Sequence, residues 1–554
     1  MKRPSLYFLT AVAALGQDTI ETLDPIVVTG KAEDVLGEVT SANEGRANNE
    51  ELSKRPTVRR GELLEVIPGV IVTQHAGGGK ANQYFVRGYN LDHGTDFHVG
   101  LDGMPANYRT HSHGQGYADI NFIVPEFVDH LTYFKGPFKT TYGDLSTAGG
   151  AEYELYDRLP EGILSLTYGS DDYTRLVYGD SWDLGEGALT LGLEYTHEDG
   201  PWLRGNDYNR LNLFARYHQG DEDNYFNITG LAHSGDWNSS DQIPRRAVAN
   251  GSLDRFGAID NMTGGETSRY SLSTRWQRSD EKSTTHLDAW IGSYDLELFS
   301  NFTYFLNDPV RGDQFEQSES RIFTGLNLWH RWDYLLGGMD SKTTLGFQTQ
   351  NDFIDDIGLY LSQRRNRFQT VRLDDVSVGS YSIYLDHETK VNDWFRAGLG
   401  LRGDLFHFDV ESDLAANSGN ETDGILSPKA NLVFGPWNET EFYLNAGLGF
   451  HSNDARGTTI AIDPTDGVTP LDRVDPLVRT KGAEFGIRSQ AIPDVTATLA
   501  FWYLESDSEL IYVGDAGTSE AGDGSERWGI ETALYWRPHD WLTADLEYAY
   551  SDAR

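Results

Sequence analysis

Histidines are concentrated in one short part of the chain. Six of the fifteen lie between residues 75 and 130, namely His75, His93, His98, His111, His113 and His130. Imidazole nitrogens bind Zn, Cu, Fe and Ni ions, so this cluster could contact a metal-bearing ligand. In a strand, His111 and His113 would share one face, and this pair is the candidate for direct metal binding. The alternative is a hydrogen-bonded polar cluster that touches a ligand without any metal.

Polar and aromatic side chains surround these histidines. Asp92 and Asp96 follow one another closely, and Tyr108 and Arg109 precede the second group of histidines. The side chains predicted to contact a ligand are His93, Asp96, His98, Tyr108, Arg109, His111, His113 and Tyr117. Within the printed sequence we find no H-E-x-x-H, G-x-S-x-G or P-loop motif, and Gly398–Gly403 matches G-x-G-x-x-G only by coincidence, inside an alternating strand. The chain is therefore not expected to be an enzyme.

The elements that must hold these residues form two regions. From about Ile163 onward, runs of ten to fifteen residues alternate apolar and polar side chains. Strands expose alternate side chains to opposite faces, so this region is a sheet with one apolar and one polar face. Mean hydropathy is −0.50 and 38% of residues are hydrophobic. Such low values fit a membrane β-barrel, whose luminal residues are polar. The aromatic content of 12% fits interfacial girdles.

The number of predicted strands indicates whether the sequence contains the whole barrel. About seventeen candidate strands follow the first region, whereas plugged transporters have about 22. We expect a barrel of 22 antiparallel strands, of which about seventeen are present, and a chain truncated at its C-terminus. Long loops are predicted at 236–266, 307–318, 351–368, 413–423 and 454–475. The absence of cysteine fits an exported protein.

The N-terminal part has its own organisation. Residues 1–16 have the basic start and short apolar stretch of a signal peptide. Residues 17–56 are predicted to be a flexible tail, with one β-branched island able to pair with a partner's sheet edge: Asp24, Pro25, Ile26, Val27, Val28, Thr29 and Gly30. Residues 57–158 are predicted to form a small α+β domain, and 159–554 the incomplete barrel.

Several short motifs appear in order along the small domain. They are Leu63–Val70 (LLEVIPGV), Val86–Gly88, Leu101–Pro105, Lys135–Pro137 and the pair Gly149–Gly150. The ordered set resembles the plug signature of TonB-dependent outer-membrane receptors, and the island at 24–30 resembles a TonB box. Lys135 stands where the family usually has arginine, and it cannot make the bidentate fork to a carboxylate.

The resemblance implies a plug inside the barrel lumen in the bacterial outer membrane. It implies energy from TonB and the inner-membrane ExbB/ExbD motor through residues 24–30, with outer-membrane lipid as a further partner. It also points to plug–barrel ion pairs among Arg87, Lys135, Glu484 and Glu531, since charges buried between plug and wall must be paired. No resident cofactor is expected.

The expected cargo is a small molecule or metal chelate, or a metal ion, taken up actively. A non-metal solute such as an oligosaccharide or a cobalamin-like molecule stays open, and a passive porin is the weaker alternative because its lumen would lack a plug. The net charge of −40 fits solubility during export and acidic surface loops, and the alternative is a field that favours cationic or metal-bearing ligands. It disfavours nucleic acid, which needs clustered Lys and Arg.

Overall fold

The computed structural model describes residues 35–56, 58–74, 77–513, 518–539 and 541–554. The predicted signal peptide, the island at 24–30 and His75 lie outside these ranges. Within them, no helix has the length and apolar character to cross a bilayer.

The first domain is built from short elements around a packed apolar core. Its ten strands are β1 Gly45–Asn48, β2 Ile71–Thr73, β3 Gln83–Val86, β4 Tyr89–Asn90, β5 Phe97–Leu101, β6 Met104–Pro105, β7 Asn107–Tyr108, β8 Tyr117–Ala118, β9 Val128–Lys135 and β10 Gly149–Leu155. Helix α1 spans Asn49–Ser53, and 3-10 helices span Arg60–Val66 and Pro125–Phe127.

The main plug sheet has the order β1-β9-β10-β5-β6. Strand β1 pairs antiparallel with β9, and Leu52 of α1 is fully buried in the core. The prediction of a flexible tail up to residue 56 is therefore wrong for its last part, because residues 45–53 supply an edge strand and a core side chain. β5 and β6 are joined by Asp102 and Gly103, both at positive φ, which gives a tight hairpin tip.

The second region is one antiparallel sheet of seventeen strands that follow in chain order. They are β11 Ile163–Tyr168, β12 Thr174–Leu184, β13 Gly187–Glu198, β14 Tyr208–Gly220, β15 Asn224–Asn238, β16 Gly264–Asp280, β17 Ser283–Ser300, β18 Phe315–Leu336, β19 Met339–Gln363, β20 Asn366–Asn392, β21 Phe395–Ser412, β22 Gly419–Phe434, β23 Thr440–Ser452, β24 Leu477–Ile492, β25 Val495–Ser506, β28 Ser525–His539 and β29 Leu542–Ala553. Each of the seventeen predicted strand centres lies in one of them.

Shorter elements lie in the connections between these strands. Hairpin strands β26 Leu510–Val513 and β27 Thr518–Ala521 lie between β25 and β28. Helices α2 Arg245–Ala249 and α3 Ala455–Thr459, with a 3-10 helix at Ala415–Asn417, lie in other connections.

The sheet is apolar outside and polar inside. On β13, the outward-facing Leu191 and Tyr195 are 38% and 39% exposed, while the inward-facing Glu194 is fully buried. The same inversion runs through the other strands, whose outward faces carry most of the exposed large hydrophobic side chains. A soluble sheet would hide its apolar face, so this arrangement is that of a barrel wall facing lipid, with the plug in its lumen.

The two ends of the sheet differ in their connections. At one end the strands are joined by turns at 185–186, 221–223, 281–282, 337–338, 393–394, 435–439 and 493–494. At the other end, longer loops span 199–207, 239–263, 301–314 and 453–476. Long loops face outside in such barrels, which assigns this second end to the extracellular side. The loop predicted at 351–368 is wrong: β19 and β20 extend through it to a tip at 364–365.

Candidate functional site

The histidine-rich loop of the plug lies at the extracellular end. Strands β7 and β8 pair through Tyr108 and Tyr117, and the loop 109–116 between them carries His111 and His113. The expectation that these two histidines share one face of a strand is therefore wrong. The loop 109–116 contacts the first residues of β18, which directly follow the long loop 301–314. The His113 Nδ1 lies 2.7 Å from Gln317 Oε1.

Three of the histidines gather around Tyr117, and we call His93, His111, His113 and Tyr117 the apical cluster. The His111 ring stacks on Tyr117 with centroids 3.9 Å apart and planes 7° from parallel. The centroids of His93 and His113 are 4.8 Å apart, and that of His93 is 5.5 Å from Tyr117. Tyr108 closes the other side of His111, at 5.9 Å.

The hydrogen bonds of the cluster specify the tautomers. The backbone N–H of His113 donates to His111 Nδ1 at 3.1 Å, so a neutral His111 carries its proton on Nε2. His93 Nδ1 lies 2.9 Å from the carbonyl oxygen of Ala81, which can only accept. His113 Nδ1 faces an amide oxygen in the same way. In neutral rings, Nε2 is therefore the acceptor nitrogen of His93 and His113 but a donor in His111.

This pattern changes which pair suits a metal. Only a nitrogen with a lone pair ligates, so the bonding favours His93 with His113 over the predicted pair of His111 and His113. Burial, reinforced by the nearby Arg321 guanidinium, lowers the pKa of His111 well below its usual value, and burial also lowers the pKa of His93. In the described parts of the chain, no group of three or more His, Asp and Glu side chains is arranged to hold a metal ion.

The apical cluster is covered. His93, His111 and Tyr117 are at most 2% exposed, and His113 is half-buried. Arg456 of α3 donates to the backbone carbonyl of His111 at 2.8 Å. Gln115 contributes a second tie, donating to the backbone carbonyl of Ser452 at 2.8 Å and accepting from the backbone of Asp454 at 3.0 Å. Contacts from residues 452–456 therefore help to cover the apical cluster.

A buried carboxylate and guanidinium form the wall behind the cluster. Glu319 accepts from the backbone N–H of Ser112 at 2.7 Å and pairs with Arg321. The His111 Nε2 lies 3.8 Å from Glu319 Oε1 and has no hydrogen-bond partner among the described residues. A buried N–H without a partner is unusual and marks a place where another polar group completes the site.

Of the other predicted ligand-contacting residues, Tyr108 lies beside His111, whereas Asp96, His98 and Arg109 bond to other partners. Asp96 pairs with His451 of the wall at 3.1 Å. Arg109 pairs with Asp144 at 3.0 Å. His98 lies 3.1 Å from Glu152 and beside Tyr142. His130 is likewise separate, bonded to Asp129 at 2.7 Å.

The structure places Arg87, Lys135, Glu484 and Glu531, the residues predicted to form plug–barrel ion pairs, next to one another. Arg87 Nη2 lies 2.8 Å from Glu484 and 3.1 Å from Glu531, and Lys135 Nζ lies 3.2 Å from Glu531. The four side chains are at most 5% exposed. Arg87 also lies over the Trp502 ring at 5.0 Å. The charges of the two cations and two anions neutralise one another in this buried space, as buried charges require.

Sequence reasoning missed contacts that support these pairs. Asn43 donates to Glu484 at 3.0 Å, and Ser41 also bonds to this carboxylate. Residues 41 and 43 were placed in the flexible tail, and nothing in their types marked them. The one sequence feature connected with this contact is that two polar residues, Ser41 and Asn43, are separated by a single residue.

A second buried charge cluster was also missed. Plug residue Arg60 pairs with Glu194 of β13, which also accepts from Arg175 at 2.6 Å and Asn212 at 2.8 Å. Arg60, Arg175 and Glu194 are all buried. Inward-facing charges on neighbouring strands were the available signal, because a charge at a luminal position needs a partner in the plug.

A plug tied by buried ion pairs into the lumen of a sheet that is apolar outside defines a plugged outer-membrane receptor. Residues 33–150 match the family model "TonB-dependent Receptor Plug Domain", and residues 199–554 match "TonB dependent receptor-like, beta-barrel". The second match alone spans more than half of the sequence, and the chain belongs to the TonB-dependent receptors.

Solved structures of such receptors share the fold. The ferric yersiniabactin uptake receptor FyuA from Yersinia pestis is 13% identical, with a TM-score of 0.74 over 94% of this chain and 79% of that one. The copper transporter OprC is 16% identical, with a TM-score of 0.72 over 95% and 81%. The ferric citrate transporter FecA is 15% identical, with a TM-score of 0.74 over 94% and 79%. At these identities the likeness concerns the fold alone.

Proposed function

We propose that this receptor imports a metal ion, carried as a small chelate or in free form, and that the apical cluster contacts it. The convergence of His93, His111 and His113 on Tyr117 carries this proposal. Imidazole nitrogens at the extracellular tip of a plug suit Fe, Cu, Zn or Ni.

The tautomers give the three histidines of the apical cluster different roles. The acceptor nitrogens of His93 and His113 are the atoms to approach a metal, and the Nε2–H of His111 is a donor for a carboxylate or phenolate of the chelator. Since no three donors are arranged for a bare ion in the described residues, the chelator or water supplies the remaining ligands. Fold relatives that carry ferric yersiniabactin, ferric citrate and copper support a metal cargo.

The energy for import comes, in this proposal, from TonB and the ExbB/ExbD motor through residues 24–30. The path of the first described residues supports it. Val39 accepts from Arg396 at 3.0 Å and Ala42 accepts from Arg488 at 3.2 Å, and both arginines lie near the short-turn end of the wall. The described chain around Val39 and Ala42 therefore lies at the periplasmic end of the wall, where a periplasmic partner can reach it.

Binding of defined probes tests the cargo assignment. The receptor folded in detergent is titrated with ferric citrate, a ferric catecholate, Cu²⁺ and Zn²⁺. The variant His93→Ala/His113→Ala is compared with His407→Ala, whose exposed ring on the wall bonds Thr422. We expect the double variant to bind its probe about tenfold more weakly, and the control to bind normally. Unchanged binding of every metal probe, or binding of an oligosaccharide or cobalamin instead, contradicts the metal assignment.

A further inference from the structure

Three extracellular segments of the wall meet at the side chain of Asn238, the last residue of β15. The backbone N–H of Asn238 donates at 2.6 Å to a carbonyl of the loop 199–207, which holds this loop against the strand end. The tip of the β19–β20 hairpin reaches the same point through Arg365, whose Nε donates to the carbonyl of Met262 at 2.9 Å. Met262 belongs to the loop 239–263, so two loops and one hairpin tip converge here.

Two arginine side chains share the amide oxygen of Asn238, and we call Arg204 and Arg365 the arginine pair. Arg204 Nη2 donates to Asn238 Oδ1 at 2.5 Å, and Arg365 Nη2 donates to the same atom at 3.3 Å. The two guanidiniums therefore lie side by side on one neutral acceptor. Burial and the positive charge of Arg365 lower the pKa of Arg204, and the charge of Asp260 only partly opposes them. The repulsion between the two like charges is therefore not relieved by the protein.

Neither member of the arginine pair has a carboxylate partner. Among the described residues, no ion pair joins Arg204 or Arg365 to an Asp or Glu side chain, and Arg204 Nη1 is buried without a hydrogen-bond partner. The carboxylate of Asp260 is occupied by amides, since its Oδ2 accepts from Asn301 and from Gln314, each at 2.9 Å. A buried N–H without a partner costs free energy and marks a place that another acceptor can complete.

Other arginines of the same wall show the usual arrangement. Arg321 holds Glu319 with its Nε and Nη2, and Arg367 of the β19–β20 hairpin holds Glu316 with the same two nitrogens. The chain has 85 Asp and Glu residues against 45 Lys and Arg residues, so carboxylates are plentiful. Two adjacent guanidiniums without one are therefore an exception in this protein, and the acceptor that suits them is an anion from outside the chain.

The structure holds Arg365 firmly in place. Its Nη2 also donates to the carbonyl of Thr263 at 3.1 Å, its backbone N–H donates to Gln314 Oε1 at 2.8 Å, and its guanidinium lies over the Phe299 ring at 5.2 Å. Gly264, at a φ of 136°, leaves room for this side chain, because a Cβ at Gly264 would lie 2.6 Å from Arg365 Nη2. A fixed cation binds an anion more tightly, since less side-chain freedom is lost on binding.

We infer that the arginine pair is a binding site for a phosphate group at the extracellular surface. The pair offers two positive charges and several N–H donors that the protein does not use. A phosphate monoester carries a charge of about −1.5 to −2 at neutral pH and has three strong acceptor oxygens, whereas a carboxylate carries one charge on two oxygens. Charge and donor number therefore favour phosphate. The inference does not depend on the metal cargo, because neither arginine belongs to the apical cluster.

Exposed carboxylates near the pair give the inference a further consequence. Arg365 lines a groove together with Asp207, Asp236 and Glu266, none of which forms an ion pair with it in the described structure. Their negative potential opposes an arriving phosphate. The variant Asp236→Asn/Glu266→Gln should therefore bind phosphate about twofold more tightly, as expected for charges at an exposed site.

Equilibrium dialysis with inorganic phosphate tests the site on the full chain folded in detergent, at neutral pH and low salt. We expect saturable binding that weakens about tenfold or more in Arg204→Gln/Arg365→Gln, because the charge-assisted hydrogen bonds of both guanidiniums are lost. The matched control Arg245→Gln/Arg246→Gln removes two exposed arginines of α2 in the loop 239–263 and should bind phosphate as the parent protein does.

Asn238→Asp provides a second measurement that removes no arginine. The new carboxylate stands at the acceptor that both guanidiniums share, so it pairs with them and competes with phosphate from within the site. It should abolish phosphate binding without unfolding the protein, because the side chain keeps its size and gains ion pairs. An absence of saturable binding in the parent protein overturns the inference. So does parent-like binding in both Asn238→Asp and Arg204→Gln/Arg365→Gln.

A dissolved phosphate and the headgroup of a membrane lipid offer the same chemistry, and nanodiscs separate these sources. The receptor is placed in nanodiscs that contain phosphatidic acid, whose headgroup is a phosphate monoester, or phosphatidylglycerol, which is anionic but has none. Loss of inorganic phosphate binding only with phosphatidic acid supports a lipid-borne phosphate at the site, and equal binding in both supports a dissolved one. Acetate that displaces phosphate at equal concentration contradicts the assignment to phosphate.

The apical cluster provides the last control. His93→Ala/His113→Ala should bind inorganic phosphate normally, because its substitutions leave both arginines and Asn238 in place. A failure of the metal probes at the apical cluster would therefore leave the phosphate result standing. Loss of phosphate binding in this histidine variant would place the phosphate at the apical cluster and overturn the inference.

Discussion

The plug contacts the barrel wall in two different ways. On the side of β24, β25 and β28, Arg87 and Lys135 meet Glu484 and Glu531 in a space closed to solvent, beneath the Trp502 ring. On the side of β15 to β21, a polar cavity of about 360 Å³ lies between the plug and the wall, and we call it the plug–wall chamber. The Arg275–Glu154 ion pair at its edge is more exposed than the pairs of Arg87 and Lys135.

The exposure of the charged groups measures the difference. Arg87 is fully buried and Glu531 only 5% exposed, whereas Arg275 and Glu154 on the chamber side are 15% and 24% exposed. Removing one partner from a dry pair leaves a buried charge alone, while water can replace a partner at the chamber. The comparison teaches that the plug is attached firmly along one side and bordered by polar, hydratable space along the other.

The largest expected effect concerns energy transfer from TonB to the side of the plug that is held by the ion pairs of Arg87 and Lys135. Deleting residues 24–30 should abolish uptake of the metal probe while leaving its binding intact, because the chain that follows reaches Glu484 through Ser41 and Asn43. Uptake of radiolabelled probe by cells, set beside binding to purified receptor, measures both. Normal uptake by the deletion variant would sink the energy-coupling proposal.

The second expected effect is on stability at the firm side. Glu531→Gln removes the carboxylate shared by Arg87 and Lys135, and the free energy of unfolding should fall by about 3–5 kcal/mol. Urea unfolding of the receptor in detergent measures it. A loss below 1 kcal/mol, on the order expected for exposed pairs, would show that this side is hydrated as well.

The third effect is the matched change on the chamber side. Glu154→Gln leaves Arg275 paired with Asp288 at 2.9 Å and with Asp102 at 3.3 Å. We expect the free energy of unfolding to change by less than about 1 kcal/mol in the same urea experiment. A loss as large as that of Glu531→Gln would erase the contrast between the two sides.

The smallest effect lies at the apical end that the two sides share. The pKa of His111 is lower in the folded protein than in the unfolded chain, so the unfolded chain binds the proton first as pH falls. The contribution of His111 to stability is therefore full above about pH 6.5 and declines below it. His111→Gln should lose less stability than the parent protein between neutral and acidic pH, with His407→Gln as the control. An identical pH slope in all three proteins would show that His111 titrates normally.

Much of the fold follows from the sequence because its cause is local. Alternation of side chains along a strand is a property of the backbone, so Leu191 and Glu194 indicated opposite faces before any partner strand was known. All seventeen strands were found in this way. The error at 351–368 arose because β-bulges, one of them between Ile354 and Ile357, break the alternation of side chains along β19. Ile354 and Ile357 nevertheless pack in a buried apolar cluster with Val376 and Val378 of β20.

The ion pairs and the histidines mark the boundary between the two kinds of information. The sequence by itself, through motifs that resemble the plug family, determined that Arg87 and Lys135 face Glu484 and Glu531. It also determined that the histidines cluster along the chain. Which rings meet, which nitrogen accepts and which carboxylates border the plug–wall chamber were decided by the tertiary structure alone. The physical reason is that these contacts join residues far apart in the chain. Their distances are set by strand register and by the docking of the plug, which local propensities do not determine.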